Sequence, residues 1–376
     1  ADRSPQQNVT VPAMRVELVE DLVDLRREWS TLWESDPTAT PFVSIEWLSA
    51  WCRDWAEGAR PWILIVRDGR HLIGAAPFVR RHRIGLRLLN GMGVGVGNYW
   101  DVIAAPDDRE AVLAAITAAL VERSDSWDVY FMDKLPEGSA TSAALREAGL
   151  RLTRLERSPS PRIRLPDTFD DYLGSLSKNR RAQIRRNLRS LDEGRLSVRE
   201  ITDPDELPVA LERWQALRIE WWRTREREIN SEHGSGRFLA FTQEVVLALV
   251  PLGRAIVWEV REGEELVGIT VNFLDERTFY YWLWGMDARF QTLKPGHSLI
   301  AYAIRWSIDT GRRDFDFMLG GEGYKYDYAP EDLGVLSMTV SNRRLRSRKA
   351  LALLRLKQSL SRTASTIPGA GVIPSP

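Results

Sequence analysis

The sequence predicts an α/β (α+β) fold made of two similar domains in tandem, and three observations carry that expectation. The first is a repeated hairpin: VRDGRHLIG, Val66 to Gly74, returns as VREGEELVG, Val260 to Gly268. Each copy lies between β-rich runs, WILIV and AAPFV in the first, AIVWEV and ITVNFL in the second. Asp-Gly or Glu-Gly between such runs is a turn signal, because glycine supplies the positive φ that a tight hairpin needs. The second is a helical stretch and then a strand downstream of each hairpin: REAVLAAITAALVE before WDVYFM, and HSLIAYAIRWSID before DFDFM. The third is length. At 376 residues the chain can bury two cores, and a duplicated hairpin, helix and strand describe paired domains, not a solenoid of short repeats.

Taken in order, periodicity and end signals predict helices over 22–33, 46–55, 109–122, 206–225, 237–249 and 297–309. A single long helix is expected over 170–193, opening after Asp167 and Thr168 as caps, and a basic helix over 342–361. The glycine-rich NGMGVGVGNYWD, Asn90 to Asp101, precedes a strand-like run instead of opening a helix, so it reads as a flexible loop and not as a dinucleotide fingerprint. The expected division is a flexible N-terminus (1–13), a first domain (14–160), a second domain (161–341), and a basic helix with a disordered tail (342–376). The boundary falls in the proline-rich SPSPRIRLP.

Composition narrows the function. Lys+Arg and Asp+Glu balance at 52 each, so no net field recruits nucleic acid or anionic lipid, and any electrostatic site must come from local clustering. The single Cys52 excludes an intrachain disulfide framework and a cysteine-based zinc site, and fits a reducing cytoplasm. Four scattered histidines show no paired metal-ligand spacing, so no metal is expected. No run is apolar and long enough to span a bilayer, which predicts a soluble protein. The unusual feature is 15 tryptophans.

Three stretches could carry chemistry. LSKNRRAQIRRNLRSL sets Lys178, Arg181, Arg185 and Arg189 on one helical stripe, with Ile184 and Leu188 on the apolar face. That row is either a solvated face or a phosphate-reading track, since guanidinium forks match phosphate oxygens. Arg180, within the apolar face, is a candidate buried partner for a carboxylate. In YYWLWGMDARFQTLKPGHSLIAYAI an aromatic strand ends at Gly285, and Pro295 and Gly296 open a helix. Its N-H groups and dipole could hold a pyrophosphate, although proline at a first turn is also ordinary capping. FDFMLGGEGYKYDYAP delivers Tyr324, Lys325, Tyr326 and Tyr328 just past a strand. A tyrosine or lysine there can act as acid, base or oxyanion partner when burial tunes its proton affinity. Tyr326 and Tyr328 are expected to be core or cleft wall. Neither a nucleophile elbow nor a phosphate-binding P-loop is present.

Together, PFVSIEWLSAWCRDW, YLGSLSKNRRAQIRR, the PGHSL helix start and FDFMLGGEGYK resemble the tandem GCN5-related N-acetyltransferase (GNAT) proteins of the BioF2-like, cellulose-biosynthesis-type group. These are related to the Fem-type aminoacyl-tRNA-dependent ligases. The resemblance covers roughly Pro41 to Ala329. It implies a mixed β-sheet flanked by helices in each domain, a splayed strand pair where the acyl donor lies, and an active site in the second copy. DKLPEGS stands in the first copy where the second has its YK block, which resembles a degenerate domain.

The resemblance further implies an N-acyltransferase moving an acyl group from an acyl-CoA-type thioester to a small-molecule or glycan amine, with no tightly bound cofactor. Tyr324 would protonate the leaving thiolate, and Lys325 would pair with a phosphate or carboxylate. Lys294, Gly296, His297 and Ser298 would meet the donor, and Lys178, Arg181, Arg185 and Trp284 the substrates. The sequence departs from acetyl-CoA enzymes in one respect: RFQTLKPGHS replaces the glycine-rich R/Q-x-x-G-x-G/A loop, with Lys294 as a substitute charge. Aminoacyl transfer from charged tRNA is therefore the alternative. A third reading is a non-enzymatic scaffold that uses a tryptophan-rich surface and the basic terminal helix. The expected location is the cytoplasm; the terminal helix would either touch the inner face of the membrane or dock on its own domain.

Overall fold

The computed structural model describes residues 14–351 except 84, 94, 225–232, 345, 348 and 350. The expected flexible N-terminus (1–13) and tail lie outside the described residues. The first unit runs β1 (Arg15–Val19), α1 (Arg26–Ser35), α2 (Ile45–Trp55), β2 (Ala59–Asp68), β3 (His71–Arg83), β4 (Leu86–Gly91), β5 (Ile103–Ala104), α3 (Arg109–Glu122), β6 (Val129–Pro136), α4 (Thr141–Glu147) and β7 (Arg151–Ser158). The second runs β8 (Pro161–Arg164), α5 (Phe169–Ser175), α6 (Lys178–Asp192), β9 (Ser197–Glu200), α7 (Glu206–Arg223), α8 (Gly236–Leu249), β10 (Ala255–Glu262), β11 (Glu265–Leu274), β12 (Thr278–Met286), α9 (Pro295–Asp309), β13 (Asp314–Asp316) and β14 (Glu331–Asp332). The chain then returns to the first unit as β15 (Val335–Ser341).

The repeated hairpin is a structural repeat down to its irregularity. Val66 pairs with Gly74 and Val260 with Gly268, and each first strand bulges at the next residue, Arg67 and Arg261. The turns use Gly69 at φ 57° and Gly263 at φ 56°, the left-handed region that glycine enters without cost. The strand after the helix also repeats. β6 runs parallel to β4, and β13 runs parallel to β12. Both sheets are therefore mixed, as expected.

Strand order joins the units. The first sheet is β1-β2-β3-β4-β6-β15-β7, and the second is β14-β8-β13-β12-β11-β10-β9. β15, from the end of the second copy, lies between β6 and β7; β8, from just after the first copy, lies between β13 and β14. The chain beyond the second unit thus supplies an internal strand to the first sheet, while β8 is the second unit's own first strand. A shared core reinforces the join. The Trp47 ring of α2 sits edge-on to Phe42 and to Phe241 of α8, 4.8 Å from each, and 5.5 Å from Trp282 of β12. Trp29, Trp47, Trp51, Trp62, Trp127, Trp214 and Trp258 are all fully buried. Most of the tryptophans are therefore core, Trp221, Trp222, Trp282, Trp284 and Trp306 are half-buried, and none is exposed as the expected tryptophan-rich docking surface would need.

Three expectations need correction. The helix over 170–193 is two helices: Leu176 is extended, and the Ser177 hydroxyl accepts the Arg180 N–H to cap α6 afresh. Arg180 itself is exposed, so it is no buried partner. The glycine-rich loop is largely buried, with Tyr99 and Trp100 inside. The 342–361 helix is described only in part. Its first residues dock on the first unit, where Asn342 donates to the carbonyls of Ser124 and Trp127, and Leu351 is buried beside Val129. Among the described residues no helix is long and apolar enough to cross a membrane.

Because Trp47 is shared by both units, Trp47→Ala should destabilise both at once. About 3–5 kcal/mol is expected from the lost burial and the cavity left behind. Calorimetry should show a single transition at lower temperature, not one unit melting ahead of the other.

Candidate active site

The second sheet opens where its parallel pair ends. β12 and β13 pair only at Thr278↔Asp314, Phe279↔Phe315 and Tyr280↔Asp316, and β12 then continues to Met286. A cleft of about 510 Å³ lies beside this unpaired end. Its walls are Tyr281, Trp284 and Met286 of β12, Trp221 of α7, Ile300 of α9, and Tyr324. Its polar edge is the turn Gln291, Thr292 and Lys294 with the first residues of α9, Pro295 to His297. Helix α7 reaches over β12 because Gly285 has no side chain: a Cβ there would stand 2.5 Å from the Trp214 carbonyl oxygen and 3.2 Å from the Arg218 nitrogen. That close crossing brings Trp221 to the cleft, edge-on to Trp284 at 5.5 Å.

The residues from 288 to 293 form a 3-10 turn that ends on Lys294, whose backbone is left-handed (φ 51°). Such a conformation costs a non-glycine residue of order 1 kcal/mol or more, and strain of this kind concentrates at functional sites. It lets α9 start abruptly at Pro295. Ser298 N–H already bonds to the Lys294 carbonyl, and proline has no N–H. The Gly296 and His297 N–H groups are therefore the helix-end donors left at the cleft. The space where Gly296 would carry a side chain is open. Lys294 is exposed at the rim. A positive helix end with a lysine suits a phosphate-bearing group.

The titratable groups in the cleft have opposite tendencies. Burial raises the pKa of the Tyr324 phenol well above the ordinary value, with the Glu322 charge adding to it. Burial likewise raises Tyr281, and Tyr324 adds to that shift. Neither phenol has a hydrogen-bond partner among the described residues, so both O–H groups remain available to a ligand. His297 is pulled below the ordinary imidazole pKa by burial, with Asp327 opposing that shift and Lys294 adding to it. Its Nδ1 lies 3.1 Å from the Tyr328 hydroxyl, which leaves Nε2 as the free nitrogen. At neutral pH the site therefore offers neutral phenols as proton donors and a neutral imidazole as acceptor.

The structure brings Trp284, Lys294, Gly296, His297 and Tyr324 together around the cleft. Ser298 is buried behind its wall. Lys325 faces inward: its ammonium donates to the carbonyls of Met318 (3.2 Å), Leu319 (2.8 Å) and Gly320 (3.1 Å) and pairs with Glu322 at 2.8 Å. All its donor capacity is used in holding the loop. Arg181 is similarly committed, to the carbonyls of Leu173, Gly174 and Leu176 at the end of α5. Lys178 and Arg185 are exposed on α6, outside the cleft lining. Tyr328 is buried, as expected of a wall residue, and donates to the His297 carbonyl. Tyr281 was hidden from sequence reasoning inside an aromatic strand. No local signal marks it: Tyr281 falls just past the last parallel rung, a register set by pairing with a distant strand. No group of His, Cys, Asp and Glu among the described residues could hold a metal ion.

Comparison with known proteins agrees with this architecture. Residues 178–326 match the acetyltransferase (GNAT) domain family. No curated protein sequence matches the chain. Among solved structures, FemX superposes with a TM-score of 0.62 at 11% identity, over 83% of this chain and 95% of that one. The C-terminal DUF2156 domain of a putative lysylphosphatidylglycerol synthetase from Agrobacterium fabrum gives 0.55 at 10% identity, over 89% and 95%. A conserved protein of unknown function from Bacteroides thetaiotaomicron gives 0.54 at 12%, over 87% and 100%. At these identities the likeness is one of fold, and it extends over both units.

Two measurements check the site. His297 followed by NMR should titrate below the ordinary imidazole value of about 6.5, staying neutral at pH 7 and becoming charged only in acid; a value at or above 6.5 contradicts the burial. Arg181→Ala should cost about 1–3 kcal/mol of stability by freeing three carbonyls at the α5 end. Thermal unfolding should detect it, while affinity for a phosphate-bearing ligand stays unchanged.

Proposed function

We propose that this chain, an acyltransferase by the GNAT domain at residues 178–326, moves an acyl group from an acyl-CoA thioester to an amine by direct attack. The observation that carries the reading is the cleft at the open end of the β12–β13 pair, with a helix start and Lys294 at one edge and two unpartnered phenols in its wall. The donor's phosphates would meet Lys294 and the Gly296 and His297 N–H groups. Its apolar arm would lie along Met286, Ile300 and the two tryptophans. The amine nitrogen attacks the thioester carbonyl carbon. His297 Nε2 accepts the proton released from the resulting ammonium. The C–S bond then breaks and Tyr324 protonates the departing thiolate, so one proton enters the imidazole and another leaves the phenol. No nucleophilic side chain is needed.

A second reading is aminoacyl transfer from charged tRNA, and two observations favour it. A 3-10 turn stands where acetyl-CoA enzymes of this fold carry a glycine-rich loop. The α6 helix also presents exposed Lys178, Arg180, Arg185 and Arg186, a local track for a polyanion within a chain of balanced charge. In either reading the acceptor is an amine, on a small molecule or a glycan. The working location is the cytoplasm, at or near the inner face of the membrane.

A thermal-shift panel of acetyl-CoA, longer acyl-CoAs and free CoA separates the readings, because a bound ligand raises apparent stability by mass action. A rise with acyl-CoA is expected. No rise with any of them, together with amino-acid transfer only when charged tRNA is added, would overturn the first reading in favour of the second. Tyr324→Phe should lower kcat roughly 10²- to 10⁴-fold, the usual contribution of a general acid, with donor affinity unchanged. Lys294→Ala should instead weaken donor binding and flatten its salt dependence.

A further inference from the structure

The loop that carries Tyr324 is held in a conformation it would not adopt alone. Met318 and Ala329, neither of them glycine, sit in the left-handed region at φ 63° and 55°. Met318 is pinned from both sides: its N–H donates to Asp316 Oδ1 at 2.7 Å, and its carbonyl accepts from Lys325 at 3.2 Å. Asp316 is fully buried, so its charge must be met from nearby. Besides the Met318 N–H it accepts from Arg162 of β8 at 2.8 Å, and from the Tyr99 hydroxyl, 2.8 Å from both carboxylate oxygens. The Tyr99 proton is spent on that carboxylate, so its oxygen accepts from Ser160 Oγ at 2.5 Å. Tyr99 belongs to the glycine-rich loop of the first unit, and burial with the Asp316 charge beside it keeps the phenol protonated.

We propose that Tyr99 is a positioning residue for acyl transfer, through which the first unit sets the geometry of an active site it does not line. The route is physical at each step. Tyr99 orients the Asp316 carboxylate, Asp316 fixes the left-handed turn at Met318, and the Met318 carbonyl anchors Lys325. Lys325 in turn ties down the segment that presents its neighbour Tyr324 to the cleft. The chemical assignment rests on Tyr324 being the acid; the mechanical clamp does not.

Two arms on the full chain test this. In amide hydrogen exchange, Tyr99→Phe should speed exchange across 315–329 by roughly tenfold or more while α9 and the β10–β11 hairpin keep their rates, as expected for loss of a local restraint. Ser160→Ala should act in the same direction and serves if Tyr99→Phe does not fold. In the activity arm, thiol release from acetyl-CoA with hydroxylamine as the amine should fall about 10- to 100-fold in kcat for Tyr99→Phe, the cost of misplacing a reacting group, with acetyl-CoA affinity unchanged. Adding Tyr99→Phe to Tyr324→Phe should lower the rate no further, because both act through one group. Unchanged exchange at 315–329, or faster exchange throughout the second unit, overturns the clamp. Losses that add in the double variant overturn its link to Tyr324. If the wild type releases no thiol above the spontaneous aminolysis of the thioester, and no acyl-CoA raises its thermal stability, it is the acyl-CoA reading that has failed, and the exchange arm alone decides the clamp.

Discussion

The structure depends on one crossing strand. β15, which follows the second unit in the chain, is an internal strand of the first sheet, hydrogen-bonded to β6 on one edge and to β7 on the other. Buried backbone donors and acceptors must be paired, so the first sheet is not complete without chain from beyond the second unit. The aromatic core around Phe42, Trp47, Phe241 and Trp282 fills the space between the helices of both units. A first unit without the tyrosine-lysine block is thus no spare part. It supplies half of the shared core and holds β15.

The cleft follows from the limits of that sheet. β13 is three residues long, and β12 outruns it. Where the parallel rungs stop, the edge of β12 opens onto a cavity lined by Tyr281, Trp284 and Met286. Tyr281 and Tyr324 become buried phenols without partners, and burial favours their neutral, proton-donating form. The same burial acts on His297 in the opposite sense and favours the neutral acceptor. One physical cause, exclusion of water from an open sheet end, keeps the phenols and the imidazole neutral alike.

Legibility in the sequence followed the range of the interactions involved. The two hairpins were visible because a glycine turn between β-rich runs is a local signal, and even their bulges coincide. The helices at 109–122 and 206–223 were visible from periodicity, the second expected to run on to 225. The break between α5 and α6 was signalled by Ser177, but the apolar spacing runs on through it and masked the cap. Lys325 and Arg181 looked like ligand-binding charges because a sequence shows that a charge exists, not where its hydrogen bonds are spent. In the fold both are spent on carbonyls five to eight residues away.

By itself, then, the sequence determined the duplicated α/β plan, the mixed character of each unit through its family resemblance, and the helix start and phenol block that meet at the cleft. These rest on turns, periodicity and motifs, which are properties of contiguous residues. Only the tertiary structure decided that β15 crosses into the first sheet, that most of the tryptophans are core, that Tyr281 joins the cleft, and that Asp316 ties Tyr99 to the Tyr324 loop. Those outcomes depend on contacts between segments 217 residues apart for Tyr99 and Asp316 and farther still for Trp47 and Trp282, and no local pattern records which distant partner a buried group will find.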